Sequence, residues 1–191
     1  MKTKDQLKAF PSRKYFIYAV IQIFTGLVLS IIPFGEYSWV HALFEPIDQN
    51  FRAFRTMPLH ASNPTASKVM LLLWWTFFIP WGVLWAGRFT GWFKPAPLML
   101  NSKIATAKSL ILSSVVGFAV VYLNAFAAYG DADIGLNGVR SRADVIPFVL
   151  SGGAFTVSIW LAICSFLLVM MVVGLCSSIR ALIHQFIYKE I

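Results

Sequence analysis

The chain has 191 residues, of which 58% are hydrophobic, 16% aromatic and only 13% charged. Soluble domains carry roughly 25% charged and about 45–50% apolar residues, so this composition, with a mean hydropathy of +0.71, excludes an ordinary water-soluble domain. The net charge of +8 would point to nucleic acid in a soluble protein, but here the charges are sorted along the chain in a way that reads as membrane orientation.

Residues 1–14 form a basic segment, with Lys2, Lys4, Lys8, Arg13 and Lys14 against Asp5. The first predicted span follows at about Tyr15–Phe34. Crossing a hydrocarbon layer of roughly 30 Å takes about 20 apolar residues, and this run is longer than the roughly 7–15 residues of a signal-peptide core. An uncleaved anchor is expected. Gly26 and Ser30 lie four apart, a spacing that lets helix backbones approach closely, and Gln22 one turn earlier can hydrogen-bond across helices.

An outer loop is predicted over 35–68. Val40, Leu43, Phe44, Ile47, Phe51 and Phe54 follow helical spacing. Ser38 is expected to cap this helix and Pro46 to break it into two short pieces. Its apolar face suits the outer membrane–water interface, with Arg52 and Arg55 available to phosphate headgroups, or else a partner protein. Asn63-Pro64-Thr65 is no glycosylation acceptor, because proline occupies the middle position.

The second span is predicted at about Val69–Gly87. Its aromatic residues, Trp74, Trp75, Phe77, Phe78, Trp81 and Trp85, exceed an interfacial belt. Bulky packing is the expected role, and a groove for a quinone, lipid or partner is the alternative. Pro80 should kink the span, because it removes a backbone donor and clashes with the preceding turn.

The third span is predicted at about Ile104–Tyr129, with Ser109, Ser113 and Gly117 on one stripe and Asn124 near its end. Lys108 sits one turn inside, from where its stem can snorkel outward. The second outer loop, 130–146, opens with Asp131, Asp133 and Gly135, as calcium loops do. Leu136 then stands where glycine is needed and Arg142 where glutamate is needed, so a polar turn at Asn137-Gly138 is the expectation.

The fourth span is placed at about 147–176, with Ala154, Ser158 and Ala162 on one stripe. Cys164 and Cys176 both fall in it; twelve helical residues put them about 18 Å apart, beyond the roughly 7 Å limit of a disulfide. The tail, 177–191, carries Ile179, Leu182, Ile183, Phe186 and Ile187 on a stripe near Arg180 and Lys189. It reads as a cytoplasmic, surface-lying extension or as a docking helix for a cytoplasmic partner.

With four spans, one side holds eleven basic and two acidic residues, and the other five basic and six acidic. Lys and Arg are retained in the cytoplasm during insertion, so both termini are expected there, in a bacterial-type inner membrane. The basic balance then serves orientation and contact with anionic lipid, not nucleic acid. The predicted fold is all-α: a polytopic four-helix transmembrane bundle with short interfacial amphipathic helices.

No catalytic, metal or cofactor motif is legible. GxSxG, HExxH and a P-loop are missing, no ionisable residue is expected deep in a span, and the histidines His41, His60 and His184 fall outside the spans. His41 and Glu45 share a helix face but make only two ligands. The leading expectation is a non-catalytic protein working through contacts with another membrane protein or with itself. It would be an accessory subunit of a secretion, conjugation or defence complex, or an immunity-type protein. The alternatives are a homo-oligomeric channel or small transporter, with Gln22, Asn124 and the serines along its path and Pro80 as a gate, and a lipid- or quinone-acting membrane enzyme.

Overall fold

The structure, a computed structural model, describes residues 12–56, 61–90, 97–126 and 152–187. The expectations for residues 1–11, for the second outer loop with its Asn137-Gly138 turn, for His60 and for Lys189 fall outside these. All regular structure among the described residues is helical. The order is α1 (Ser12–Ile31), a 3-10 turn (Phe34–Glu36), α2 (Ser38–Asn50), α3 (Arg52–Thr56), α4 (Pro64–Leu73), a π-helical turn (Trp74–Phe78), α5 (Ile79–Thr90), α6 (Pro97–Asn101), α7 (Lys103–Ala125) and α8 (Ala154–Ile187).

Local chemistry sets most of these boundaries. α1 stops at Ile31, two residues before Pro33, because a proline disfavours helical geometry in the residue before it. Asn63 caps α4: its Oδ1 accepts from the Ala66 amide at 3.1 Å, and Pro64 follows as the first helical residue, where its missing N–H costs nothing. The second helix therefore starts five residues before the expected span. Ser102 caps α7 in the same way, accepting from the Ala105 amide at 3.2 Å.

Two expectations change. Pro46 does not break the α2 helix but lies inside it, and the break falls at Phe51 instead. Pro46 forfeits one amide donor, while the Asn50 side chain donates to the Pro46 carbonyl at 2.7 Å and closes the end of the helix. Ser38 is not the cap: Tyr37 occupies that position, without a side-chain bond. The last helix begins at Ala154, after Gly153 at φ +88, a backbone conformation that favours glycine. It then runs unbroken past Cys176 to Ile187, so the expected tail is the same helix continued.

α8 is the hub. It packs on α7, α1, α4, α5 and α6, and the residues that meet show α1 and α7 both running antiparallel to it. Tyr18, Met70, Leu71, Trp74, Phe78, Leu161, Cys164 and Leu168 fill the centre. The polar groups Gln22, Thr106, Asn124, Ser158, Ser165 and Ser178 are also buried, while Phe16, Phe24, Ile31, Leu112 and Phe118 are more than half exposed.

Apolar surface on this scale is rare on soluble monomers. Polar and small residues at the seams with apolar ones facing out is the arrangement that helices adopt in lipid. Three continuous segments are long and apolar enough to cross a membrane: Pro64–Trp85, Lys103–Ala125 and Ala154–Ile187; Tyr15–Ile31 adds a shorter apolar helix. These are the features of a multi-pass helical membrane protein.

Candidate functional site, the helix seams and two cavities

Gly26 of α1 lies flat against α8. A Cβ there would collide with the Ser158 side chain and come within 2.7 Å of the Ala154 carbonyl oxygen. Ser158 donates to its own helix at Phe155 O, 2.6 Å. One end of the seam is tied by Tyr15, whose hydroxyl donates to the Ala162 carbonyl at 2.8 Å. The Gly26 position and the Ala154–Ser158–Ala162 stripe thus meet each other. Ser30 is turned to its own helix, donating to Leu27 O at 2.6 Å.

The α7 stripe meets α8 further along. Ser109 Oγ accepts from Ser178 Oγ at 3.0 Å. Ser113 sits opposite Gly174, and Gly117 opposite the Met171 side chain. Gly174 and Ser178 are four apart, a small-residue spacing visible in the sequence, but one that straddled the expected end of the span at Cys176. Beyond that point Gln185 Nε2 donates to Met99 O at 2.6 Å, and Ala181 is fully buried. This side of the final turns is packed against α6 and the start of α7.

Two polar bridges cross the interior. Trp74 Nε1 donates to Ser165 Oγ at 2.7 Å, and Ser165 donates on to Gln22 Oε1 at 3.1 Å. Gln22 is fully buried, and its Nε2 has no acceptor among the described residues. Asn124 is fully engaged: Nδ2 donates to Val120 O at 2.9 Å, Oδ1 accepts from Trp160 Nε1 at 3.1 Å, and its carbonyl accepts from Trp75 Nε1 at 3.4 Å. The interhelical bonds among these, all but the one from Asn124 to Val120, are worth about 0.6–2 kcal/mol each in a membrane.

Pro80 sits just after the π-helical turn, in the first turn of α5. Lacking an N–H, it cannot complete the ladder of the preceding turn, and the irregularity takes π form, a recognised cause of helix bending. The Phe78 carbonyl finds a partner in the Tyr18 hydroxyl at 2.6 Å. Gly82 makes that approach possible, since a Cβ there would stand 2.9 Å from the Tyr18 oxygen. The aromatic residues of this region mostly pack on one another: Tyr18–Trp81 at 5.3 Å, Trp74–Trp75 at 5.2 Å and Trp81–Trp85 stacked at 5.6 Å.

Two cavities adjoin α2 and α3. The first is an open groove of about 660 Å³ between α2 and α4, of mixed lining, in which His41, Glu45, Asp48, Gln49, Arg55 and Lys68 stand beside Ala42, Phe44 and Pro64. Lys68 and Asp48 form an ion pair within it, and His41 Nε2 lies 3.1 Å from the Gly35 carbonyl. The second is a cleft of about 400 Å³ lined by Ile47, Phe51, Phe54, Leu72, Trp75, Val121, Ala125 and Phe126, and is apolar throughout. Arg52 and Arg55 are exposed on α3, flanking its Phe54, with Phe51 just before the helix. Among the described residues no three His, Cys, Asp or Glu side chains come together as metal ligands would. In comparisons with known proteins, the chain matches no family model, no curated protein and no solved structure.

Proposed function

We propose that the chain is a four-span protein of a bacterial-type cytoplasmic membrane, with both termini inside, that works by contact with other proteins and not by catalysis. It would serve as an accessory subunit of a larger membrane assembly, such as a secretion, conjugation or defence complex, or as an immunity-type protein. The observation that carries this reading is the engagement of the interior polar groups with one another. Asn124, Trp160 and Trp75 bond together where α8 and the π turn meet α7, and Trp74, Ser165 and Gln22 where α1 and the π turn meet α8. Polar groups used this way hold helices in register. A channel needs them facing one shared path, which supports the scaffold reading over the homo-oligomeric pore.

Polar recognition falls to the groove between α2 and α4. Its mixed charges, Glu45 and Asp48 with Arg55 and Lys68, suit a partner of complementary charge pattern. The test is the mass of the intact particle, extracted gently from its native membrane. A stoichiometric assembly with a second protein, weakened by Glu45→Lys, is expected. A homo-oligomer that conducts ions in liposomes would overturn the reading.

A further inference from the structure

We propose that the apolar cleft between α2–α3 and α7 is a binding site for one acyl chain of an outer-leaflet phospholipid, whose phosphate is held by Arg52 and Arg55. The inference rests on the membrane reading above and adds a ligand to it.

The size of the cleft comes first. At about 400 Å³ it falls within the roughly 300–1,000 Å³ of small-molecule sites. Its apolar lining favours an apolar guest. Phe51 and Phe126 approach each other at 6.0 Å between ring centroids and are both partly exposed, so they form the rim. Phe54 and Ala125 are buried and form the wall.

The chemistry of the lining then selects the guest. A quinone ring needs donors for its carbonyl oxygens. Among the described residues of the lining the one side-chain donor is the Trp75 indole N–H, and it is already directed at the Asn124 carbonyl. A hydrocarbon tail needs no such donor. Trp75 therefore contributes its ring face, and the cleft offers apolar contact along its length.

Charge complementarity supplies the other half of the lipid. In the sequence Phe51-Arg52-Ala53-Phe54-Arg55, the two phenylalanines line the cleft while both arginines are exposed on the same short helix. Arginine forms bidentate hydrogen bonds with phosphate. Tail pocket and headgroup ligands thus arise from adjacent residues of one segment. Arg55 also borders the open groove, which puts the headgroup between the two cavities.

The full chain is reconstituted in vesicles of phosphatidylethanolamine and phosphatidylglycerol containing a trace of a phospholipid with a diazirine in its acyl chain. After photolysis the labelled peptides are mapped. Labelling of the 47–56 and 121–126 segments several-fold above the exposed α1 face at Phe16 and Phe24 is expected. Val121→Trp, which fills the cleft, should remove that excess while leaving the α1 label unchanged. Arg52→Gln with Arg55→Gln should reduce it without touching the lining, a second variant that guards against misfolding of the first.

Equal labelling of all exposed faces would show annular lipid only and overturn the site, as would excess labelling that survives both variants. Competition by a quinone and not by phospholipid would reassign the cleft and equally overturn the proposal. If the protein is not integral to the membrane at all, alkaline carbonate releases it, and the membrane reading fails together with the site. A carbonate-resistant protein without cleft labelling loses the site alone.

Discussion

A few residues decide how closely the helices approach, and they differ in how much change they tolerate. Gly26 faces Ser158 and the Ala154 carbonyl, and a backbone oxygen cannot move aside. Gly117 faces the Met171 side chain, which can change rotamer at little cost. Gly26→Ala should therefore destabilise the bundle by about 1–3 kcal/mol, the usual range for overpacking, and Gly117→Ala by clearly less. Unfolding in detergent monitored by circular dichroism measures both, and equal losses would refute the seam geometry. Adding Ser158→Gly to Gly26→Ala should recover part of the loss, in the manner of a double-mutant cycle.

The two buried amides differ in the same way. Asn124 has every polar side-chain atom engaged, whereas Gln22 accepts from Ser165 at Oε1 and has no acceptor for Nε2 among the described residues. Removing a satisfied group strands its partners, while removing an orphaned one relieves a desolvation cost. Asn124→Leu should lower stability by about 0.6–2 kcal/mol, and Gln22→Leu by less, because relief of the unpaired Nε2 offsets the stranded Ser165 hydroxyl. The same unfolding assay separates them, and a larger loss for Gln22→Leu would show that its Nε2 has a partner in the membrane.

At the scale of the element, Pro46 is the informative case. α2 keeps its helix through Pro46 because Val40 and Phe44 are buried against the core and the far end is closed by Asn50. Packing overrides the local penalty, which for an interior proline is about 3 kcal/mol against alanine in an unconstrained helix. Pro46→Ala should raise the thermal midpoint, since it restores a donor that nothing in the described contacts replaces. A fall in midpoint would mean that proline fixes a bend on which α3 and the apolar cleft depend.

This case also marks the limit of what the sequence discloses. Apolar runs marked the helices long enough to cross a membrane, and Ser109, Ser113 and Gly117 occupy the face of α7 turned to α8. Those features are local and repeat along one helix. The cap at Asn63 was equally legible, as an asparagine followed by proline, but a hydropathy window begins only where the apolar residues do. The two cavities were not legible, because Phe51, Trp75 and Phe126 come from three elements far apart in the chain. Nor was the π turn, which follows from Pro80 and from Tyr18 reaching Phe78 O across sixty residues.

For the molecule as a whole, the open question is the side on which the amino terminus lies, and it turns on α1. Three segments meet the length and hydropathy of a span, while Tyr15–Ile31 is shorter. α1 nevertheless has 20 residues, about 30 Å of helix, and it runs alongside α8, with Gly26 near Ser158 at one point and Tyr15 near Phe166 at another. A helix packed antiparallel along the length of a spanning helix lies along the same axis through the bilayer. If α1 spans, both termini share the basic side, with eleven basic and two acidic residues on it, in keeping with the retention of Lys and Arg in the cytoplasm. If α1 lies flat, the amino terminus and the α2 segment share the outer side. In a chain with both native cysteines replaced by alanine, Gln49→Cys should react with a membrane-impermeant maleimide in intact cells. Lys2→Cys and Lys189→Cys should react only after permeabilisation. Labelling of Lys2→Cys in intact cells, together with Gln49→Cys, would reduce the spans to three and place the basic amino-terminal segment outside, against the charge rule that orients the rest of the chain.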